Sequence, residues 1–315
     1  MNKRAVIFGI KGLALTKKEK FFFKSVKPWG IILFSRNIKN FIQLKKLTEE
    51  IRSIFNDKKF PLLVDIEGGK VSRFNNIIDL TTFSQNYFAQ LYKKDKKLFF
   101  IYYNIYINTL TSIFKNVGIN INTAPVLDVR RKNSHNIIGT RSFSIDHKIV
   151  SKLGNYCINF FNKKKIGTVI KHIPGHGLAK SDSHYKTPVI NASKKELKNK
   201  DFKPFKNCKS LLAMTAHIIY KKYDSINTAT HSKLIIEKII RKYINFKGIL
   251  ISDDISMKAL KYSLEENTLK ALKAGCNLVL HCNGNIDEMK RISKVVPKID
   301  KFTKEKTSHL YKFLM

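Results

Sequence analysis

The segment KHIPGHGLAKSDSHYKTP, residues 171–188, places three histidines and an aspartate within eighteen residues. Residues of these types serve either as metal ligands or as groups that transfer protons. His172 and His176 have the spacing of zinc ligands on a helix, but Pro174 and Gly175 between them prevent that helix from forming. The spacing disfavours a helical zinc site, and ligands gathered from separate segments remain open.

Asp182 and His184 are two residues apart in the same segment. In an extended loop alternate side chains point the same way, so the carboxylate can bind one ring nitrogen and leave the other for a substrate. A neighbouring carboxylate raises the pKa of an imidazole and favours its protonated form. This pattern would suit an acid–base pair, but by itself it indicates no more than a loop histidine without a chemical role.

A tandem pair, Asp253-Asp254, follows the apolar run GILIS. Adjacent strand residues face opposite sides, so we expect at most one of the two carboxylates to reach a pocket. The other is expected to cap a helix over ISMKAL, residues 255–260. Arg73 and Arg141 carry hydrogen-bond donors that suit hydroxyls or carboxylates.

Eight short apolar runs alternate with amphipathic stretches along the chain, as in a parallel sheet covered by helices. The predicted strands are 5–10, 30–34, 61–66, 121–129, 168–172, 211–216, 248–252 and 277–281. The predicted helices include 41–55, a long segment over 83–117, 231–244 and 263–275. Eight such strands, with no GxGxxG after the first, favour a (β/α)8 TIM-type barrel over a doubly wound sheet. No linker divides the chain, so we expect one domain over 1–315.

Ionisable residues stand at the ends of most predicted strands, and active sites of such barrels lie at the carboxyl ends of the strands. These residues are Asp65, Glu67, Asp128, Lys171, His172, His217, Asp253, Asp254 and His281. A ring of charges at that rim predicts a binding or catalytic site.

The chain carries 60 Lys+Arg against 23 Asp+Glu, a formal net charge of +37. Such an excess can mark a nucleic-acid-binding protein, but the lysines are spread along the whole length, which favours a solvated basic surface. The four cysteines form no CxxC pair, which indicates reduced thiols. No apolar run approaches the roughly eighteen residues of a transmembrane helix, and the N-terminus does not read as a cleavable leader. We therefore expect a cytoplasmic protein without membrane insertion and without a specific nucleic-acid partner.

Seven ordered blocks of this sequence resemble the bacterial β-N-acetylhexosaminidases of glycoside hydrolase family 3. The blocks are VDIEGGKVSRF (64–74), APVLDV (124–129), IGTRSF (138–143), KHIPGHG with SDSH (171–184), MTAH (214–217), ISDDISM (251–257) and AGCNLVLHCN (274–283). Within that family the chain is most similar to the single-domain cytoplasmic members that act in peptidoglycan recycling.

The resemblance implies a role for each matching residue. Asp253 is the implied nucleophile, His184 the implied acid/base, and Asp182 the residue that assists His184. The residues implied to bind the terminal sugar are Asp65, Arg73, Arg141, Lys171 and His172. No metal and no cofactor are implied. Three positions depart from the family's usual residues, because Ile66 replaces Gln, Lys70 replaces Arg and Ile173 replaces Phe; these changes concern affinity more than activity.

The implied activity is hydrolysis with retention of configuration through a covalent glycosyl-enzyme. It would release terminal, non-reducing N-acetylglucosamine from muropeptides, such as the disaccharide with 1,6-anhydro-N-acetylmuramic acid, with or without a peptide, and the enzyme would be a monomer. Phosphorolysis by the same site is the close alternative. An RNA-binding basic protein and a metal-dependent barrel hydrolase, with His172, His217 and Asp253 as ligands, are more remote.

Overall fold

The computed structural model describes residues 2–131, 136–183 and 185–314, and eight parallel strands close into a barrel within them. The strands β1 to β8 are Arg4–Gly9, Pro28–Leu33, Leu62–Val64, Ile121–Asn122, Gly167–Ile173, Leu212–Thr215, Ile249–Asp254 and Leu278–His281. Each pairs with the next along the chain, and β8 closes the barrel against β1. The predicted (β/α)8 barrel is confirmed.

Helices surround the barrel. The α-helices are Lys17–Val26, Phe41–Phe55, Gln85–Lys94, Lys96–Val117, His147–Lys163, Lys194–Asn199, Leu264–Ala274, Ile286–Val295 and Lys301–Phe313, and a π-helix spans Ile235–Tyr243. Local sequence sets some of these bounds: Ser263 and Glu266 form a capping box at the start of Leu264–Ala274, and Gly275 ends it with a φ of 117°. No described helix combines the length and apolar character needed to cross a membrane.

The strands are buried on both faces. Every residue of β2, β3, β4, β5, β6 and β8 is buried. Helices cover the outside of the barrel and side chains fill its inside. The sequences of these strands are therefore continuous apolar runs rather than alternating apolar and polar residues. This double burial is why the runs were visible in the sequence.

Three local expectations were wrong. The helix expected over 83–117 is two helices, because Asp95 is extended and its carboxylate accepts the Leu98 N–H, which starts a new helix. The strand expected over 121–129 ends at Asn122, and Val126 then forms only an isolated bridge with Lys171. Residues 255–260 form turns instead of a helix.

Candidate active site

A cavity of about 600 Å³ opens at the carboxyl ends of the barrel strands. Six of the eight site residues expected from the sequence lie in its wall: Asp65, Arg73, Arg141, Lys171, His172 and Asp253. They come from segments far apart in the chain, so the closed barrel is what brings them together. Lys70, one of the departures from the family pattern, also lines the cavity, whereas Ile66 and Ile173 are buried in the core.

A short antiparallel hairpin, Ile66–Gly68 with Val71–Ser72, stands over this cavity directly after β3. Its turn contains Gly68 at φ 87° and Gly69 at φ 61°, in the left-handed region that side chains disfavour. A Cβ at Gly68 would also collide with the carbonyl oxygen of Phe83. Glycine at the turn therefore permits the fold that carries Glu67 and Arg73 to the cavity wall.

Two carboxylates and three cations form one network along the wall. Lys171 Nζ lies 2.9 Å from Asp65 Oδ1 and 2.7 Å from Glu67 Oε1, so it bridges the two acids. Arg73 Nη2 lies 3.2 Å from Asp65 Oδ2, and Arg141 binds Glu67 through two parallel hydrogen bonds of 2.7 and 2.8 Å. Fixed, mutually paired charges of this kind present donors in set directions to a polar ligand.

The cations keep both acids ionised. Burial by itself raises the pKa of Glu67, but Arg141 and Lys171 outweigh burial and hold that pKa at about 2. Lys171 and Arg73 likewise overcome burial and hold the pKa of Asp65 well below its usual range. Burial lowers the pKa of Lys171, but Asp65 and Glu67 raise it above its ordinary value. Glu67, which sequence reasoning could offer as a substitute proton donor, is therefore an anion at neutral pH.

Asp128 holds the segment that contains His172. Its carboxylate lies 2.7 Å from His172 Nδ1 and accepts the backbone N–H of His172 at 3.2 Å and that of His176 at 2.6 Å. Gly177 passes so close to Val129 that a Cβ there would overlap the Val129 carbonyl. The PGHG turn is thus pressed against the segment after β4, which fixes His172 at the cavity.

The tandem aspartates end β7, and both reach the cavity, so the expectation that only one would do so was wrong. Asp253 Oδ1 accepts the Asp254 N–H at 2.8 Å, and Asp254 Oδ1 accepts both the N–H and the hydroxyl of Ser256. Asp254 therefore caps a turn rather than a helix. Burial raises the pKa of Asp253, but His217 and His172 outweigh it, so that the pKa lies below its ordinary value.

Both ring nitrogens of His217 are bonded within the protein. Its Nε2 donates to the Asp254 carbonyl at 3.0 Å, and its Nδ1 lies 2.7 Å from the Thr230 hydroxyl. Burial lowers its pKa, which keeps the ring neutral. Because both ring nitrogens are occupied, the metal set of His172, His217 and Asp253 does not fit this geometry. Among the described residues no cluster of three or more His, Cys, Asp or Glu side chains is arranged to hold a metal ion.

The expected acid–base pair is only partly described. His184 lies outside the described residues. Asp182 is half-buried, and its carbonyl accepts the N–H groups of Tyr185 and Lys186 at 3.2 Å. Ser183, which directly follows Asp182, is buried and lines the cavity. Its carbonyl accepts the Ala259 N–H at 3.1 Å. The segment that carries the expected pair is therefore attached to the turns that follow Asp254.

Sequence reasoning assigned no role to several residues that shape the cavity. Glu67 was noted as a strand-end acid and as a substitute for His184 as the acid, and Asp128 only as a strand-end acid, although each organises neighbouring side chains. His176 was considered only as a metal ligand, yet it is a buried cavity residue whose backbone binds Asp128. A strand-end position was the one available signal, and it gave no indication of which distant side chain each acid would bind.

Comparison with known proteins adds an independent line of information. Residues 13–309 match the model of the glycosyl hydrolase family 3 N-terminal domain. A β-hexosaminidase of Haemophilus influenzae is 34% identical over 287 residues, which cover 89% of this chain and 79% of that protein.

Solved structures are also similar. The crystal structure of NagZ from Neisseria gonorrhoeae in complex with N-trifluoroacetyl-D-glucosamine is 29% identical, with a TM-score of 0.88 over 99% of this chain and 90% of that one. A structure of the same protein in complex with zinc ion, also 29% identical, has a TM-score of 0.87 over 98% of this chain and 90% of that one. The described fold is thus similar to that of a protein solved with an amino-sugar derivative.

Proposed function

This chain belongs to glycosyl hydrolase family 3, and on that basis we propose that it is a retaining exo-glycosidase that releases terminal β-linked N-acetylglucosamine. It is a glycoside hydrolase of the β-hexosaminidase type, as its curated relatives are. The observation that carries the finer proposal is the single cavity that gathers Asp253 with the paired cations Arg73, Arg141 and Lys171. A neutral, hydroxyl-rich sugar suits such a wall, because it satisfies fixed donors and acceptors without adding charge.

In the proposed mechanism, Asp253 attacks the anomeric carbon while His184 protonates the departing oxygen. Water, activated by His184 as the base, then releases the sugar from Asp253 with its configuration retained. The low pKa of Asp253 supports its role, since a nucleophile must be ionised. Asp182 is proposed to orient His184 and to favour its protonated form.

The sugar-binding roles rest on the ion network. Lys171, Arg73 and Arg141 are donors only, and they are proposed to bind hydroxyl and acetamido oxygens of the terminal sugar, with Asp65 and His172 taking hydroxyl protons. Because the cations are already paired with Asp65 and Glu67, their directions are set before the sugar arrives. Such preorganisation reduces the entropy that binding must overcome.

The proposed natural substrate is N-acetylglucosamine joined to 1,6-anhydro-N-acetylmuramic acid, with or without a peptide, in cell-wall recycling. We propose that the enzyme works in the cytoplasm as a single-domain monomer without a cofactor. The cysteines Cys157, Cys208, Cys276 and Cys282 are all free thiols, which supports a reducing compartment.

Three alternative functions compete with this proposal. Phosphorolysis would place phosphate instead of water in the second step and yield sugar 1-phosphate. A metal-dependent reaction deserves a control because the gonococcal relative has been solved with zinc, and the charge of +37 is the only feature that favours RNA binding.

The deciding experiment is turnover of 4-nitrophenyl β-N-acetylglucosaminide and of the anhydromuramyl disaccharide by purified protein, with the Asp253→Ala protein as the control for contaminating activity. We expect free N-acetylglucosamine, first as the β-anomer by proton NMR, in phosphate and phosphate-free buffer alike and with or without EDTA. Sugar 1-phosphate would establish phosphorolysis. Loss of activity in EDTA that zinc restores would establish a metal enzyme, and absence of turnover would remove the proposal.

A further inference from the structure

Asp128 is an acid in the cavity region to which neither the family resemblance nor the proposed mechanism assigns a role. It follows Val126 and Leu127 after β4 and is fully buried. In the part of the chain that the structure describes, its three hydrogen-bond donors all belong to the segment from His172 to His176, with the His172 ring at 2.7 Å as the side-chain partner. Among the described residues, its side-chain contact with the cavity wall is the His172 ring.

The direction of the hydrogen bond between Asp128 and His172 follows from their chemistry. An ionised carboxylate accepts hydrogen bonds and donates none. Burial raises the pKa of Asp128, but His172 outweighs burial and keeps that pKa below its ordinary value. The ring nitrogen at 2.7 Å, Nδ1, must therefore carry a proton. In a neutral imidazole the other nitrogen, Nε2, then has a lone pair to offer.

Among the residues proposed to bind the terminal sugar, few such lone pairs are left for a ligand. Arg73, Arg141 and Lys171 can only donate. Each oxygen of Glu67 already accepts from Arg141 or Lys171, and each oxygen of Asp65 accepts from Arg73, Lys171 or Thr123, so that Asp65 keeps only part of its acceptor capacity for a sugar hydroxyl. A sugar hydroxyl that accepts a hydrogen bond from one of these cations still needs an acceptor for the hydrogen bond that its own proton can donate.

We propose that Asp128 is a positioning residue that holds the proton of His172 on Nδ1, so that Nε2 accepts the proton of a sugar hydroxyl. This inference rests on the proposed function, because it takes the ligand to be a sugar. His172 makes no hydrogen bond through Nε2 with any described residue, and it lines the cavity, so that nitrogen is the one left for a ligand.

Asp128→Asn reverses this arrangement at almost constant volume. The amide oxygen can still accept the His176 N–H, while the amide NH2 meets His172 Nδ1 and donates to it. The imidazole proton then moves to Nε2, and the nitrogen that faces the cavity becomes a donor. A hydroxyl at that position would lose its acceptor, and a fluorine in its place would lose much less.

The first arm of the test needs no substrate. Protein labelled with 15N-histidine, at pH 8, gives two-bond correlations that report which ring nitrogen carries the proton, and the His172 signals are those absent from His172→Gln. We expect the Nδ1–H form in the native protein and the Nε2–H form in Asp128→Asn. Ser142→Ala, which removes a hydroxyl bound to the Asp128 carbonyl at 2.6 Å and leaves the carboxylate intact, should keep the native form. A protonated Nε2 in the native protein overturns the inference, even where Asp128→Asn does not fold.

The second arm uses aryl β-N-acetylglucosaminides in which the 3-, 4- or 6-hydroxyl is replaced by fluorine. In the native enzyme one of these replacements should lower kcat/KM about threefold to tenfold through the lost hydrogen bond. In Asp128→Asn that penalty should nearly vanish at the same position only. The inductive effect of fluorine is the same for both proteins, so it cancels when the fluorine penalty in Asp128→Asn is divided by the penalty in the native enzyme.

The two arms separate the possible failures. Equal fluorine penalties in both proteins at all three positions would overturn the inference while the glycosidase proposal stands. Absence of turnover of the parent glycoside would remove the proposed function, and the tautomer measurement would still decide whether Asp128 sets the proton of His172.

Discussion

Glu67 and Arg141 are joined by two parallel hydrogen bonds, Nε to Oε2 at 2.7 Å and Nη2 to Oε1 at 2.8 Å, with 0% and 14% of their side chains exposed. Glu265 and Arg291 form the same two-bond geometry, at 2.7 Å for both bonds, but 30% and 50% of those side chains are exposed. The chain therefore contains a buried pair and an exposed pair of one chemical type.

Glu67→Gln should destabilise the fold far more than Glu265→Gln. Removal of one partner from a buried pair leaves an uncompensated charge, and we expect a loss of about 3–5 kcal/mol in the free energy of unfolding. The exposed pair should contribute much less, because water screens it. Urea unfolding of both variants at pH 7 measures this, and equal losses would show that burial does not govern the strength of these pairs.

Asp253→Ala should abolish turnover and leave the fold intact, because the change removes the proposed covalent step rather than a packing contact. Asp254→Ala should retain part of the activity and lose stability, since its carboxylate caps the turn at Ser256. A 5-fluoro glycosyl fluoride should label one peptide of the native enzyme. An adduct found by mass spectrometry on any residue other than Asp253 would refute the assignment.

The proposed acid should matter most for poor leaving groups. General acid catalysis commonly contributes about 10²–10⁴-fold, so His184→Ala should lose that much in kcat/KM on a disaccharide and far less on a dinitrophenyl glycoside. Asp182→Asn should lose less than His184→Ala on the disaccharide. Equal losses on both substrates would mean that His184 only positions the sugar, and Glu67, with its pKa of about 2, is no substitute donor.

Stability should fall on mild acidification because of His176. Burial, together with the nearby His172, lowers the pKa of His176 from its ordinary value of 6.5 to about 4. The unfolded chain therefore binds this proton at a higher pH than the folded one, so stability is full above pH 6.5 and is lost as the pH falls towards 4. The difference between the folded and unfolded pKa values of His176 corresponds to about 3 kcal/mol in the free energy of unfolding.

Urea unfolding at pH 7.5 and pH 5 should show this loss in the native protein and a smaller one in His176→Gln. His231, whose pKa burial and His217 also lower to about 4, contributes in the same range, so the comparison isolates the share of His176. His309→Gln, at an exposed position of the last helix, is the control and should behave as the native protein does. An unchanged pH dependence in His176→Gln would contradict the prediction.

The barrel could be predicted from sequence because double burial leaves continuous apolar strands, and strand ends then locate the cavity. Which acid pairs with which cation at the cavity could not be predicted. Arg141 is 74 residues from Glu67, and Lys171 is 106 residues from Asp65, and no local pattern encodes pairings at such separations. The family resemblance implied which charged residues would bind the sugar, but not that Glu67 pairs with two of them, Arg141 and Lys171.

Local errors had local causes. Asp95 lies within a helical stretch, yet its short carboxylate satisfies the Leu98 N–H and divides the helix. Asp254 was expected to cap a helix, but Ser256 offers both an N–H and a hydroxyl within two residues, and a turn satisfies the carboxylate instead. In both cases an aspartate side chain competed with the backbone carbonyls for an N–H group. Composition alone does not determine which of these acceptors binds the N–H.

The hydrogen bond from the Ala259 N–H to the Ser183 carbonyl joins the segment after the proposed nucleophile to the segment that carries the proposed acid. It is made by main-chain atoms alone. Any residue except proline at position 259, and any residue at position 183, supplies the same two atoms. The spacing between these two segments therefore depends on main-chain atoms, and exchanges between small side chains that fit the buried positions 183 and 259 leave it intact.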